Sequence, residues 1–309
     1  MKPLGGDEEM KEKVMADYVI SCCSTADLSQ EYFDKRNIRY VCSHFEIDGE
    51  SYPDDLGTSV PFPEFYRRMA AGAETRTSQI SIGEYEDYFR SLLDEGKDVI
   101  HMSLSTGITG TYNSARIAAE GIADDYPDRK LYVLDSLGAS SGFGMLVDAA
   151  ADLRDGGADI DTVRDWVLEN RLRLCQWMFT TDLEYLIRGG RVGKAEGTVG
   201  SLLNICPMLR LDGEGKLVTT YKVRGKKKVI AKAIQIMEET AEDGLDYSGK
   251  CFISHAGCLE DAKELAGMIE KTFPKLNGRV LIFDVGTTIG SHAGPGTVTF
   301  HFWGKEPRN

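Results

Sequence analysis

The sequence predicts an α/β protein with an N-terminal doubly wound, parallel-sheet domain followed by a second α/β (α+β) domain. Three observations predict it. Through the first half, short apolar runs bounded by turn residues alternate with helical patterns, which is how a chain builds a parallel sheet with crossover helices. Beyond about residue 175 the order changes to a hairpin, a helix, and then strand, helix, strand. The chain has 309 residues, a length that suits two domains and lets roughly 75% of the unfolded surface be buried. The expected spans are 14–175 and 176–305, with no long linker, repeat or low-complexity stretch between them.

Each element has its own signal. Tyr18 to Cys22, Tyr40 to Phe45, Val99 to Leu104 and Leu131 to Leu134 are apolar runs of strand length. A helix from about Gly83 to Leu93 starts at Ser81, and Glu84 three residues on completes a capping box. Tyr112 to Ile122 follows Gly110 or Thr111 as a second helix. Phe143 to Leu153 and Ile160 to Leu172 are two more, the last capped by Asp159 or Asp161. Trp177 to Thr181 has strand character, and Leu183 to Arg188 and Val199 to Ile205 have helical character. Asp212-Gly213-Glu214-Gly215 is a hairpin turn between Met208 to Leu211 and Leu217 to Tyr221. A basic amphipathic helix runs from about Lys227 to Thr240. Cys251 to Ser254, Leu259 to Phe273 and Val280 to Val285 close the chain as strand, helix and strand.

Composition narrows the function classes. Net charge is −13, which argues against a nucleic-acid surface, where a basic face must neutralise phosphates. The seven cysteines are odd in number and contain no CxxC pair, so the expectation is a reduced, cytoplasmic protein with buried thiols. No window approaches eighteen uninterrupted apolar residues, so no membrane insertion is expected. His, Cys and Asp spacing gives no metal site.

Three segments point to a small acidic group. Ser105-Thr106-Gly107-Ile108-Thr109-Gly110-Thr111 lies between a strand and a helix, where free N–H groups and the helix dipole favour an anion. Helix capping explains the same residue types equally well. Thr77-Ser78-Gln79 precedes the capping box, which accounts for Ser81 and leaves Thr77 and Gln79 free. Gly290-Ser291-His292-Ala293-Gly294-Pro295-Gly296 reads as a glycine-rich turn that presents one imidazole. Arg188-Gly189-Gly190-Arg191-Val192-Gly193-Lys194 is a basic turn but not a phosphate loop, since Arg188 and Ala195 occupy the required glycine and Ser/Thr positions. Arg191 in it suits a carboxylate or phosphate, and equally a solvated surface. His44, His101, His255 and His301 lie in or beside apolar runs and are assigned structural roles.

Taken in order, these segments resemble the DegV family of bacterial fatty-acid-binding proteins over nearly the whole chain. Cys23-Ser24-Thr25-Ala26-Asp27-Leu28 is similar to the family's opening Asp-Ser-Thr-Ala-Asp-Leu. Thr77-Ser78-Gln79, Ser105 to Thr111, Asp135-Ser136, Gly189-Gly190-Arg191-Val192 and His292-Ala293-Gly294-Pro295-Gly296 follow in family order. The resemblance implies two α/β domains with one long-chain fatty acid (palmitate, stearate or oleate class) buried between them, and no other cofactor. It implies a carboxylate held by Thr77, by a hydroxyl of Ser105 or Thr106, and by His292, with Arg191 and Gly294 beside it. It further implies a non-catalytic monomer in phospholipid metabolism that presents the acid to a fatty acid kinase. Cys23 in place of the first Asp, Thr106 in place of Ser and Ile80 in place of Pro depart from the pattern near the ligand. Cys206 before Pro207 departs from it where a Lys is usual.

Two further readings stand beside this one. Arg224, Lys226, Lys227 and Lys228 form a basic cluster that is either a solvated helix start or a docking patch for a kinase. Ser105, His292 and Asp135 could instead form the triad of an acyl hydrolase or transferase, although no GxSxG elbow is present.

Overall fold

A computed structural model describes residues 18–193 and 204–309. Three sheets form. The first is parallel, in the order β2-β1-β6-β7, from β1 (Tyr18–Cys23), β2 (Ile38–Val41), β6 (Asp98–Ser103) and β7 (Leu131–Asp135). The second is a small antiparallel sheet, β4-β3-β5, from β3 (His44–Ile47), β4 (Glu50–Pro53) and β5 (Thr75–Ser78). The third has six strands in the order β10-β9-β8-β13-β11-β12 and is antiparallel except between β11 and β12. Its strands are β8 (Leu174–Phe179), β9 (Ile205–Leu211), β10 (Leu217–Arg224), β11 (Phe252–His255), β12 (Leu281–Asp284) and β13 (Val298–Trp303).

The helix α5 (Ser140–Asp155) joins the first and third sheets. Twelve of its sixteen residues are buried, so it carries no polar face, as expected of a helix covered on several sides. It packs on β1 and on β8, β11 and β13. Small residues permit this closeness. A Cβ on Gly144 would come within 2.5 Å of the Ala26 carbonyl oxygen. Between α5 and β11, the Ser141 and Ser254 hydroxyls share a buried hydrogen bond of 2.6 Å. On its outer turns Asp148, 1% exposed, accepts from Lys250 at 2.6 Å and forms an ion pair with Arg36 at 2.9 Å, so one carboxylate ties the two large sheets together. Tyr32 also donates to it.

The helices begin where the sequence places capping groups. Ser81 caps α3 (Ile82–Leu93) with the full Ser–Glu84 box, and Asp159 caps α6 (Ile160–Asn170). The helix α4 (Thr111–Ile122) starts at Gly110. The basic helix spans Lys226–Thr240. Two expectations need correction. Tyr40 to Phe45 is not one strand: the chain turns at Cys42-Ser43 and enters a different sheet. The histidine segment is not wholly a turn, because Thr287–Ala293 forms the helix α10, and the turn starts only at Gly294. Polar and small residues hide the helix from a reading based on apolar period. The expected helix at 199–205 lies outside the described residues except at its end, where Ile205 opens β9.

Replacing Asp148 with Ala should lower stability by about 2 kcal/mol, because Lys250 and Arg36 lose a buried counter-ion while each keeps Asp152 at 2.6 Å. Urea unfolding measures it. A loss below about 0.5 kcal/mol, the range of ordinary surface changes, would show that this bridge does not hold the sheets.

Candidate lipid-binding site

A cavity of about 410 Å³ opens where the sheets meet, within the roughly 300–1,000 Å³ range of small-molecule sites. Most of its lining surface is apolar, with Leu104, Ile108, Met178, Leu186, Leu211 and Ile289 among the contributors. The loop before α4 contributes Thr109, Gly110 and Thr111, and the start of α5 contributes Ala139 and Ser140. Polar side chains are as numerous as apolar ones around it, and some of them are concentrated.

One concentration is Thr77, His292 and Arg191. Thr77 sits on the edge strand β5, and its Oγ1 lies 2.8 Å from His292 Nε2. Helix α10 is held in place from its first turn. Asp54 Oδ1 accepts from the Thr287 hydroxyl at 2.8 Å and from its N–H at 3.2 Å, which also complements the helix dipole. Asp27, close by, accepts from Ser140 at 2.5 Å. Burial raises both carboxyls, Asp27 well above the usual carboxylate range. Close packing fixes the other end. A Cβ on Gly189 would lie 2.3 Å from His292 Nδ1, and one on Gly294 would lie 2.3 Å from the Tyr185 ring. Gly294 also has φ of +76°, so only glycine fits without strain. Its role is to let the turn pass Tyr185, and it is not among the lining residues.

The electrostatics of this wall favour an anion. Burial, helped by the Arg191 and Arg188 cations, pushes the His292 imidazole down to about 4, so the ring is neutral at pH 7. Burial lowers the Arg191 guanidinium too, and its Nε has no partner among the described residues. A cation partly removed from water, with a donor unused, is stabilised by a carboxylate.

Ser105 and Thr106 are engaged elsewhere. Ser105 is fully buried and donates to the Gly215 carbonyl at 2.8 Å, holding the loop against the β9–β10 hairpin. A Cβ on Gly107 would sit 2.5 Å from the Gly215 carbonyl. Thr106 is exposed and donates to Asp135 at 2.5 Å. Neither lines the cavity, whereas Thr109 and Thr111 from the same segment do. Asp135 accepts from Thr106 and from the Leu137 N–H, so no hydrogen bond joins Ser105, Asp135 and His292. The sequence reading missed Gln176, Thr299 and His301, which line the cavity. His301 faces it rather than only filling the core. Period-two alternation along β13, with Val298, Phe300 and Phe302 on the opposite side, is the signal that could have found it. Among the departures from the family pattern, Cys23 and Ile80 are fully buried, and Cys206 is 2% exposed on β9. Arg224, Lys227 and Lys228 are exposed, while Lys226 pairs with Asp261 at 2.5 Å. No group of three or more metal-ligating side chains occurs among the described residues, and no described helix is long and apolar enough to cross a membrane.

The histidine sets a pH dependence. Its folded value, about 4, lies below the roughly 6.5 of an unfolded histidine. The native state therefore binds fewer protons between these values, and stability falls as pH drops through that window. In His292→Gln this contribution vanishes, so the loss of stability between pH 6.5 and 4.5 should be smaller than in the wild type. Denaturant unfolding at several pH values measures it, and identical slopes would contradict a buried, neutral His292.

Known proteins share this fold. The DegV family, described as uncharacterised proteins, matches residues 19–305. A DegV domain-containing protein of Clostridium perfringens is 34% identical over 295 residues, covering 95% of this chain and all of the relative. A DegV lipid binding protein of Thermotoga maritima has a similar structure, with a TM-score of 0.82 and 28% identity over 94% of this chain and 100% of that one. A DegV family protein of Thermus thermophilus described by its fatty acid binding superimposes with a TM-score of 0.81 and 27% identity, over 93% of this chain and 99% of that one. With its fold, the order of its motifs and its sequence all in agreement, the chain belongs to the DegV family.

Proposed function

We propose that this protein binds one long-chain fatty acid in the cavity, with the carboxylate at Thr77, His292 and Arg191, and presents it to a fatty acid kinase. The observation that carries the reading is a mainly apolar cavity with an unused cationic donor and a neutral histidine–threonine pair on one wall. The Thermotoga and Thermus relatives support the ligand class.

The energetics suit such a ligand. Each buried methylene is worth roughly 0.8 kcal/mol, so about fifteen give on the order of 12 kcal/mol before costs. Lost translational and chain freedom takes back several kcal/mol or more. The tail thus supplies affinity, and the head group chiefly sets orientation. Ser105 and Thr106 act in this reading through the loop, by holding Thr109 to Thr111 against the cavity. The hydrolase reading lacks an exposed nucleophile, since the Ser105 hydroxyl is buried and bonded to a carbonyl. The exposed Arg224, Lys227 and Lys228 suit an acidic face on a kinase. Three lysines at a helix N-terminus oppose the helix dipole, a local cost that an anionic partner would offset.

Native mass spectrometry of protein purified from a bacterial host should show a bound fatty acid. Protein that carries no lipid and takes up neither palmitate nor oleate would refute the reading. Thr77→Val and His292→Gln should reduce kinase-dependent acyl phosphate formation at least about tenfold while weakening lipid binding less, because the tail dominates affinity. Equal losses in the two assays would contradict this division.

A further inference from the structure

The cavity holds a second polar pair that the carboxylate clamp does not use. Gln176 on β8 and His301 on β13 are direct cross-strand partners, each 3% exposed, and both line the cavity. They converge on one glycine: a Cβ on Gly142 would lie 2.5 Å from Gln176 Oε1 and 2.6 Å from His301 Nδ1. His301 is two residues beyond Thr299, so the pair lies roughly 7 Å further along β13 from the end that α10 feeds.

The hydrogen-bond pattern leaves both side chains as unused donors. Gln176 Oε1 accepts from the Ala139 N–H at 3.0 Å, which orients the amide and leaves Nε2 without a partner among the described residues. Thr299 Oγ1 accepts from the Ser254 N–H at 3.2 Å and lies 3.0 Å from His301 Nε2. Nε2 is the one acceptor that the described hydrogen bonds offer the Thr299 proton, and assigning that proton to it places the ring proton of neutral His301 on Nδ1. Nδ1 also has no partner among the described residues. Burial, with Arg308 adding to it, pushes this histidine down to about 3, so the ring is neutral at physiological pH. A plain hydrocarbon tail laid across the pair would leave two dry, unpaired donors, which is the costly state for buried polar groups.

We propose that Gln176 and His301 form a subsite for an acceptor oxygen on the acyl chain itself, so that the ligand class is a long-chain fatty acid bearing an in-chain hydroxyl or oxo group. The inference rests on the fatty-acid reading above and narrows it. One oxygen satisfies both donors, while the carboxylate stays with Thr77, Arg191 and His292. The subsite also fixes how far along the chain that oxygen must lie, so preference depends on its position.

The test is competition binding to the full-length, delipidated protein. The ligands are stearic acid and a series of monohydroxystearic and monooxostearic acids with the oxygen at successive carbons. One narrow range of positions should bind about tenfold more tightly than stearic acid, the effect of satisfying buried donors. In the Gln176→Leu/His301→Leu double variant that ratio should fall to about one, with stearic acid still bound, since neither of the two unused donors remains. Three results overturn the proposal: no positional isomer outcompetes stearic acid in the wild type, the preference survives in the double variant, or the double variant loses stearic acid itself. The last would place the carboxylate at this pair. The wild-type series decides alone if the variant does not fold. Failure of the wild type to bind stearic acid or any derivative would instead remove the fatty-acid reading on which the proposal stands.

Discussion

The structure depends on the burial of one helix between two sheets. Ser140–Asp155 has no free face: β1 lies on one side and β8, β11 and β13 on the other. A helix so enclosed fixes the relative position of both sheets to within the tolerance of side-chain packing, and interiors packed at crystal density leave little slack. Its N-terminal turn ends the packed region, and Ala139 and Ser140 there form part of the cavity wall. The site is therefore the place where the packing of that helix stops, and it inherits the rigidity of everything that holds the helix. The Asp148 bridge to Arg36 and Lys250 and the Ser141–Ser254 hydrogen bond act on the same contact from different turns.

Around the cavity the chain buries ionisable groups in uncharged or paired form. His292 and His301 are both pushed down by burial and stay neutral. Asp54, buried and bonded to Thr287 and Thr288, serves as the anchor of the short helix that carries His292. The exception is Arg191, which keeps a charge in a half-buried position and has a donor unused. That asymmetry makes one wall of the cavity attractive to a carboxylate.

Much of this was legible in the sequence. The parallel strands and their helices followed from apolar runs and caps, because period and capping are local properties: Ser81 with Glu84 and Asp159 with Thr162 act within three residues. Arg191 and His292 stood out as polar residues in glycine-rich surroundings and Thr77 because the Ser81–Glu84 capping box leaves it unexplained, and Thr77 and His292 prove to be bonded to each other. What was hidden is tertiary. No local signal says that Ser105 bonds a carbonyl 110 residues away at Gly215, or that Thr106 turns to Asp135. The separate sheet made by His44–Ile47, Glu50–Pro53 and Thr75–Ser78 is assembled from short polar strands whose burial depends on α10 and α2 (Phe62–Ala70). His301 looked like a core residue because its neighbours Phe300 and Phe302 are core residues.

The most direct measurement is a crystal structure of the protein with palmitate bound. The account predicts the acyl chain inside the cavity between the sheets, with the carboxylate within hydrogen-bonding reach of Thr77 and the Arg191 guanidinium and His292 closing the same wall. A carboxylate placed away from all three, or a ligand on the surface with the cavity left to water, would contradict it.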